Sequence, residues 1–422
     1  MASQNLLPLS ILPMECVEEI MAYLDLDTIK ALRLSSRDLY LTCTGRRFKS
    51  FLRCHTIEMT KAAFHSSRQW GMHPQLSDAV KSLRIMTTIY DQTKLLKPVD
   101  ERDVTPSAGS QSQSSKNPND LAWLQQQQKL QDEVSYQEAV EHITFYLHHF
   151  RALECIQLDA VLVRGPGKFI STSESKNKWC SVWMRASQTY CMTMEAIARS
   201  GIAPKTLDIY GETIRCSVPM YDIAINLDQI SSANVKKAGR CIENLALSVS
   251  TKVDTGATEQ PLRPPLACHD LQTVNAGHTN MMADIKYERF DGIARLLEVT
   301  PNLKSLDIHF YNTLLRKSTG YQSMFDMIAK HTRLPLLRVC KLRCLATSKD
   351  SLLRFFSNHH RIYDLALEHI SLGAEDAWES LFSQLVEVLP NLERLHLSNL
   401  RDRRSVLNLH PTWEEKPPRA PG

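Results

Sequence analysis

A short apolar pattern close to Leu-x-x-Leu-x-Leu returns nine times along this chain, and no other feature restricts the fold as strongly. It occurs at Val80–Ile85, Leu153–Leu158, Lys205–Ile209, Ile242–Leu247, Leu271–Val274, Leu303–Ile308, Leu337–Leu342, Ile362–Leu367 and Leu392–Leu397. Alternating apolar and polar residues have the period of a half-buried strand, whose successive side chains point to opposite faces. From Leu207 onward the central positions are Leu207, Leu245, Val274, Leu306, Cys340, Leu365 and Leu395, spaced by 25 to 38 residues. Helical patterns precede several of them, such as Phe290, Ile293, Ala294 and Leu297 before Leu303, or Leu352, Leu353 and Phe356 before Ile362. Trp378, Leu381, Phe382, Leu385 and Val386 stand in the same relation to Leu392. Two junctions, TPNLKSLDI and LPNLERLHL, are near copies in which Pro301 and Pro390 end a helix and hand over to a strand.

One helix and one short strand cannot cover their own apolar faces, whereas stacked copies bury both in a continuous core. The expectation is an α/β chain whose residues 51–410 form an irregular leucine-rich-repeat-like solenoid with a parallel, curved sheet. The segment from Arg164 to Arg199 breaks the period and reads as an irregular insertion. Residues 97–119 are rich in Pro, Ser, Gln and charge. They cannot bury enough surface to offset the entropy of ordering, and read as a disordered loop. A helix is expected from Asp120 to His149, with Leu121, Leu124, Leu130, Val134, Val140, Ile143 and Leu147 inward. The Pro-rich residues 411–422 read as a disordered tail.

Composition excludes several classes. Apolar residues make up 43% and charged residues 23% of the 422, an ordinary balance for a chain with a sizeable core. A formal charge of +4 does not argue for nucleic acid. Arg46-Arg47-Phe48-Lys49 and the Arg401–Arg404 cluster read as solvated surface. The 11 cysteines are odd in number and lack a CxxC, and no second pair completes a zinc site with Cys340 and Cys344. The start has no signal-peptide layout, and no run is long and apolar enough for a membrane helix. The expectation is a soluble chain of the cytoplasm and/or nucleus, without membrane or nucleic-acid partners.

Catalytic signatures are absent. RGPGKF, from Arg164 to Phe169, has Leu162 where a phosphate-binding loop needs glycine and Phe169 where it needs Ser or Thr. His148-His149 and His359-His360 are adjacent pairs whose side chains diverge on a helix. HExxH, GxSxG and the kinase signatures do not occur. No catalytic, cofactor-binding or metal-binding residue is assigned, and the chain reads as a non-enzyme without cofactors. The outward residues of the strands are more informative. Asp208, Asp307, Lys341, Arg343, Glu368 and His396 are expected in a row suited to an extended protein surface, a possible substrate face.

The chain opens differently, with LPMECVEEIMAYLDLDTIKALRLSSRDLY from Leu12 to Tyr40. Pro13 suits a first helical turn. Val17, Ile20, Met21 and Leu24 form one apolar stripe, with Glu15, Glu18 and Glu19 near the positive end of the helix. Asp27 reads as the cap of a second helix carrying Ile29, Leu32 and Leu34 inward. Ser35 or Ser36 reads as the cap of a third, carrying Leu39 and Tyr40. A three-helix bundle within residues 8–50 has more apolar face than it can hide.

Leu12-Pro13 with Glu15, Ile20 with Tyr23-Leu24, Asp25, and ALRLSSRDLY together resemble an F-box, and the sequence resembles fungal F-box proteins closely, including the run RRFKSFLRCHTIEMT that leads into a first strand. The resemblance implies a substrate-receptor subunit of an SCF-type (cullin-RING) ubiquitin ligase. A Skp adaptor would dock on the F-box through Leu12, Pro13, Ile20, Leu24 and Leu32, with Val17, Met21 and Leu34 either contact or core. Through the adaptor the chain would join a cullin, and the repeat domain would bind an unknown target. The alternative is a leucine-rich scaffold whose N-terminal helices only cap the solenoid.

Overall fold

The computed structural model describes residues 12–61, 63–64, 74–91, 118–170, 179–214, 216–250, 290–311, 319–373, 376–402 and 406–407. The Leu271–Val274 repeat and the 411–422 tail lie outside them. So does the expected loop at 97–119, apart from Pro118 and Asn119, which open a helix. Two compact units divide the chain, one of residues 1–208 with 212–214 and one of residues 209–211 with 215–422.

The first unit begins with four helices, α1 (Met14–Ala22), α2 (Leu26–Ser35), α3 (Arg37–Thr42) and α4 (Arg46–Phe51). Strands and helices follow in the order β1 (Cys54–Glu58), α5 (Pro74–Ser77), β2 (Ser82–Tyr90), α6 (Pro118–Asp132), α7 (Tyr136–His149) and β3 (Cys155–Val163). Then come β4 (Phe169–Ile170), α8 (Trp179–Ser200) and β5 (Thr206–Ile209). The strands lie in the order β1-β2-β3-β5, with β4 antiparallel on β3. The single helix expected from Asp120 to His149 is two, because Ser135 starts a new one with a capping box formed with Glu138. Leu124, Val140, Ile143 and Leu147 are buried as expected, while Leu130 is exposed. The supposed insertion at Arg164–Arg199 holds β4 and the 22-residue α8, the helix that precedes β5.

The second unit repeats a strand and a helix. Its elements are β6 (Val218–Pro219), α9 (Met220–Gln229), α10 (Ser232–Gly239), β7 (Asn244–Ser250), α11 (Gly292–Val299), β8 (Ser305–Phe310), α12 (Thr319–His331) and β9 (Val339–Arg343). They continue with β10 (Ala346–Thr347), α13 (Lys349–Asn358), β11 (Asp364–Glu368), β12 (Ser371–Leu372), α14 (Trp378–Val388), β13 (Arg394–Ser398), β14 (Leu400–Arg401) and β15 (Val406–Leu407). Strands β7-β8-β9-β11-β13 pair in parallel, each next to its successor. Register aligns Leu245, Leu306, Cys340, Leu365 and Leu395 in one column and Leu247, Ile308, Leu342, Leu367 and Leu397 in the next. The first four of each column are buried, with Phe310, Phe325 and Phe355 packed ring to ring behind them. Burying a side chain of this size contributes about 1.5–3 kcal/mol.

Each of β9, β11 and β13 is followed by a residue with left-handed backbone, Cys344 (φ 57), His369 (φ 56) and Asn399 (φ 50). That bend starts the short second sheet β10-β12-β14-β15 and turns Leu345, Ile370 and Leu400 into the core. The Pro-Asn-Leu junctions serve the stacking directly. Asn302 Nδ2 donates to the Arg240 carbonyl at 2.7 Å, and Asn391 Nδ2 to the His360 carbonyl at 3.3 Å, each reaching back to the segment before the preceding strand.

Two predictions follow from this packing. A Cβ on Gly292 would lie 2.4 Å from the Met220 carbonyl oxygen and 3.1 Å from the Ala224 nitrogen. Overpacking against backbone costs about 1–3 kcal/mol, while Ala in place of Gly adds about 1 kcal/mol of helix propensity. Gly292→Ala therefore lowers the urea midpoint, and a raised midpoint would contradict the close approach of α9 and α11. Burial pushes His359 down to about 4, and burial with the Arg343 charge does the same for His309. An unfolded histidine titrates near 6.5, so protonation favours the unfolded chain. Stability is complete above about pH 6.5 and falls as the pH drops toward 4, by up to about 1.4 kcal/mol per pH unit for each ring. Urea melts across this range should show that loss, and His359→Gln should flatten it.

Candidate functional site

The N-terminal module is built on seven buried residues, Val17, Met21, Ile29, Leu39, Cys43, Phe48 and Leu52. Leu12, Leu24, Leu26, Leu32 and Phe51 pack partly buried against them, as do Leu76 and Ala79 from α5 and the residues just after it. Its helix starts are capped locally. Pro13 lends its carbonyl to the amides of Cys16 and Val17 at 3.0 and 3.2 Å. Asp25, not the expected Asp27, caps α2 by accepting from the Thr28 amide at 2.8 Å. Ser36 caps α3 through the Leu39 amide at 3.1 Å.

A fourth helix was not anticipated, and it corrects the reading of Arg46-Arg47-Phe48-Lys49 as solvated surface. Phe48 is in the core, and the Arg33 guanidinium lies between its ring, at 3.9 Å, and that of Tyr40, at 4.6 Å. Arg47 lies over Phe51 at 4.5 Å and donates to the Leu24 carbonyl at 3.3 Å. Glu18, expected to serve its own helix start, instead reaches across to α4. Its two oxygens accept from the Arg46 amide at 2.7 Å and the Arg47 amide at 3.3 Å. Gly45 leaves room for this: a Cβ there would lie 1.3 Å from Glu18 Oε1.

What the module does not bury is concentrated. Of eleven exposed large hydrophobics among the described residues, six fall within residues 14–41: Met14, Ile20, Tyr23, Leu34, Tyr40 and Leu41. Leu34, expected inward, is 87% exposed, and Tyr23 is 83% exposed. Among the five residues expected at an adaptor contact, Pro13 and Ile20 are exposed, whereas Leu12, Leu24 and Leu32 lean against the core. Val17 and Met21 are core.

The residues expected on a target face stand on the strands as expected, but most are engaged with one another. Arg343 forms a two-point pair with Asp307 at 2.9 and 3.0 Å and donates to the Gly211 carbonyl at 2.8 Å. Lys341 pairs with Glu368 at 3.0 Å, and His396 Nε2 stands 3.9 Å from the same carboxylate. Asp208 lies on β5, in the first unit. Among the described residues no group of three His, Cys, Asp or Glu is placed to hold a metal ion. His149 and His359 each turn Nδ1 to the carbonyl four residues back, at 2.7 and 2.6 Å.

Residues 9–51 match the F-box domain family. No curated protein matches the chain. The chain thus carries an F-box, the module that binds a Skp-type adaptor within a cullin-RING complex, and the domain implies a Skp-binding adaptor role.

The cap across the module gives a test. Glu18→Ala should lower stability by about 1–2 kcal/mol, the usual cost of a lost helix cap. Gly45→Ala displaces the same carboxylate, so the double variant should lose little more than either single one. Additive losses in urea melts would show that Glu18 and Gly45 act separately.

Proposed function

We propose that the protein is a non-catalytic substrate receptor of an SCF-type ubiquitin ligase, working in the cytoplasm and/or nucleus. Its F-box, of the fungal type, docks a Skp-type adaptor that leads to a cullin, and its strand–helix repeats bind the target as a leucine-rich-repeat-like domain. The observation that carries the reading is an F-box whose helices leave Met14, Ile20, Tyr23, Leu34 and Leu41 in water. A partner that covers such residues removes apolar area at about 25 cal/mol per Å². Pro13 and Ile20 are the expected contacts that reach solvent, and Leu12, Leu24 and Leu32 support them from behind.

A cap for the repeats is the competing reading. Leu76 and Ala79 do pack on the helical core. A module that served only as a cap would turn its large apolar residues toward the repeats, yet Tyr23, Leu34 and Leu41 are 83, 87 and 68% exposed.

The test is capture by an immobilised Skp-type adaptor. The wild-type chain should be retained, and Ile20→Glu with Leu34→Glu should abolish retention with the melting midpoint unchanged, because both side chains are exposed. Val17→Ala should do the reverse, lowering the midpoint by about 1 kcal/mol or more of stability while the folded fraction still binds. Retention of the double Glu variant at wild-type strength would remove these residues from the contact.

A further inference from the structure

The charges of the strand face largely cancel, and the uncompensated charge of the second unit lies along one edge. Four segments run to the starts of β7, β8, β9 and β11, residues 236–243, 298–304, 330–338 and 358–364, the last including Asp364, the first residue of β11. Together they hold eight cations against three anions, a balance of +5, where the whole chain carries +4. Backbone bonds line them up. The Lys304 amide donates to the Glu243 carbonyl, that of Arg338 to Lys304 and that of Tyr363 to Arg338, at 2.7, 2.9 and 2.9 Å. Neighbouring segments therefore stand one strand spacing apart, about 4.8 Å.

Some of this charge has a local reason. Lys304 pairs with Glu243 at 2.9 Å. Lys236, Lys237 and Lys330 occupy last turns of helices, where the dipole favours cations, and Arg333 donates to the Thr332 carbonyl at 2.8 Å. Arg240, the C-cap residue of α10, shares the dipole reason, whereas Arg338 and Arg361 have none. All three lie beyond the helix ends, are exposed, and make no ion pair or side-chain hydrogen bond among the described residues. Like charges gathered this way repel one another, and an anionic partner relieves the repulsion.

We propose that this edge docks an acidic, extended polypeptide segment, with Arg240, Arg338 and Arg361 as its central anchors. The choice of a polypeptide rests on the target-receptor reading above. It is supported by the scarcity of large stacking platforms: Tyr363 is the one Phe, Tyr or Trp in the four segments, and the Arg394 guanidinium covers its ring at 5.3 Å. A groove for single-stranded nucleic acid interleaves cations with several open rings.

The full-length protein is titrated with three fluorescent probes: an Asp/Glu-rich peptide, an Asn/Gln peptide of the same length, and oligothymidylate of matched charge. The acidic peptide should bind best and weaken by about tenfold or more between about 50 and 200 mM salt, as screening shortens the reach of exposed charges. Arg240→Glu with Arg338→Glu and Arg361→Glu should weaken it by at least about tenfold. The same three changes to Gln should give an intermediate loss and serve if the Glu variant melts early. Equal binding of the Asn/Gln peptide, wild-type affinity in a folded variant, or a preference for oligothymidylate overturns the proposal. Adaptor capture is measured on the same preparations. If it fails while the acidic peptide binds as described, the receptor reading falls and the acidic-docking edge stands.

Discussion

A single backbone arrangement recurs at the start of nearly every long strand: one carbonyl accepts two successive amides from the next repeat. Arg53, Lys81 and Glu154 do this in the first unit, and Glu243, Lys304, Arg338 and Tyr363 in the second. Two donors on one acceptor fix which residue opens each strand. With a side-chain period of two, a slip of one residue would turn every buried Leu into water. The columns through Leu306 and Ile308 exist because these carbonyls hold the register. The first of them, Arg53, follows directly on α4, whose neighbour Leu52 is in the F-box core with Leu76 and Ala79 against it. The adaptor module and the first strands therefore share packing, with no free linker between Leu52 and β1.

Function divides along physical lines. The F-box has too little interior for its apolar residues, so several of them face water. The strand face has charges in opposite-sign pairs one or two positions apart, Asp307 with Arg343 and Lys341 with Glu368. Such pairs are largely exchanged within the molecule and leave little net field. The edge where the strands begin lacks the matching anions. Charge sequestered in pairs and charge left unpaired look alike in a sequence and differ greatly in what they attract.

Much of the order of strands and helices was legible beforehand, and the reasons are specific. Eight of the nine Leu-x-x-Leu-x-Leu segments lie wholly or partly in strands, because alternation over five or six residues admits few other structures. The Pro-Asn-Leu junctions were legible as helix ends, but not the role of their Asn, which bonds a carbonyl 62 residues earlier in one case and 31 in the other. The left-handed corners at Cys344, His369 and Asn399 were missed. A signal was present: each follows Leu-x at a strand end and precedes Leu345, Ile370 or Leu400. Asn399 and His369 are residue types enriched in that conformation, and Cys344 is not.

At the F-box the sequence determined the helices and the apolar stripe, since periodicity and capping residues are local properties of the chain. It could not decide which side of the stripe was core, because Val17 and Ile20 are three residues apart on one face. Tertiary packing made that choice, burying Val17 and Met21 and leaving Ile20 and Leu34 outside. It also carried Glu18 to a helix that begins 28 residues later. The order of the strands and the helices between them was in the sequence. Which of their charges cancel was decided only when register set Asp307 beside Arg343, because the energy of a charge depends on what stands within a few ångströms of it.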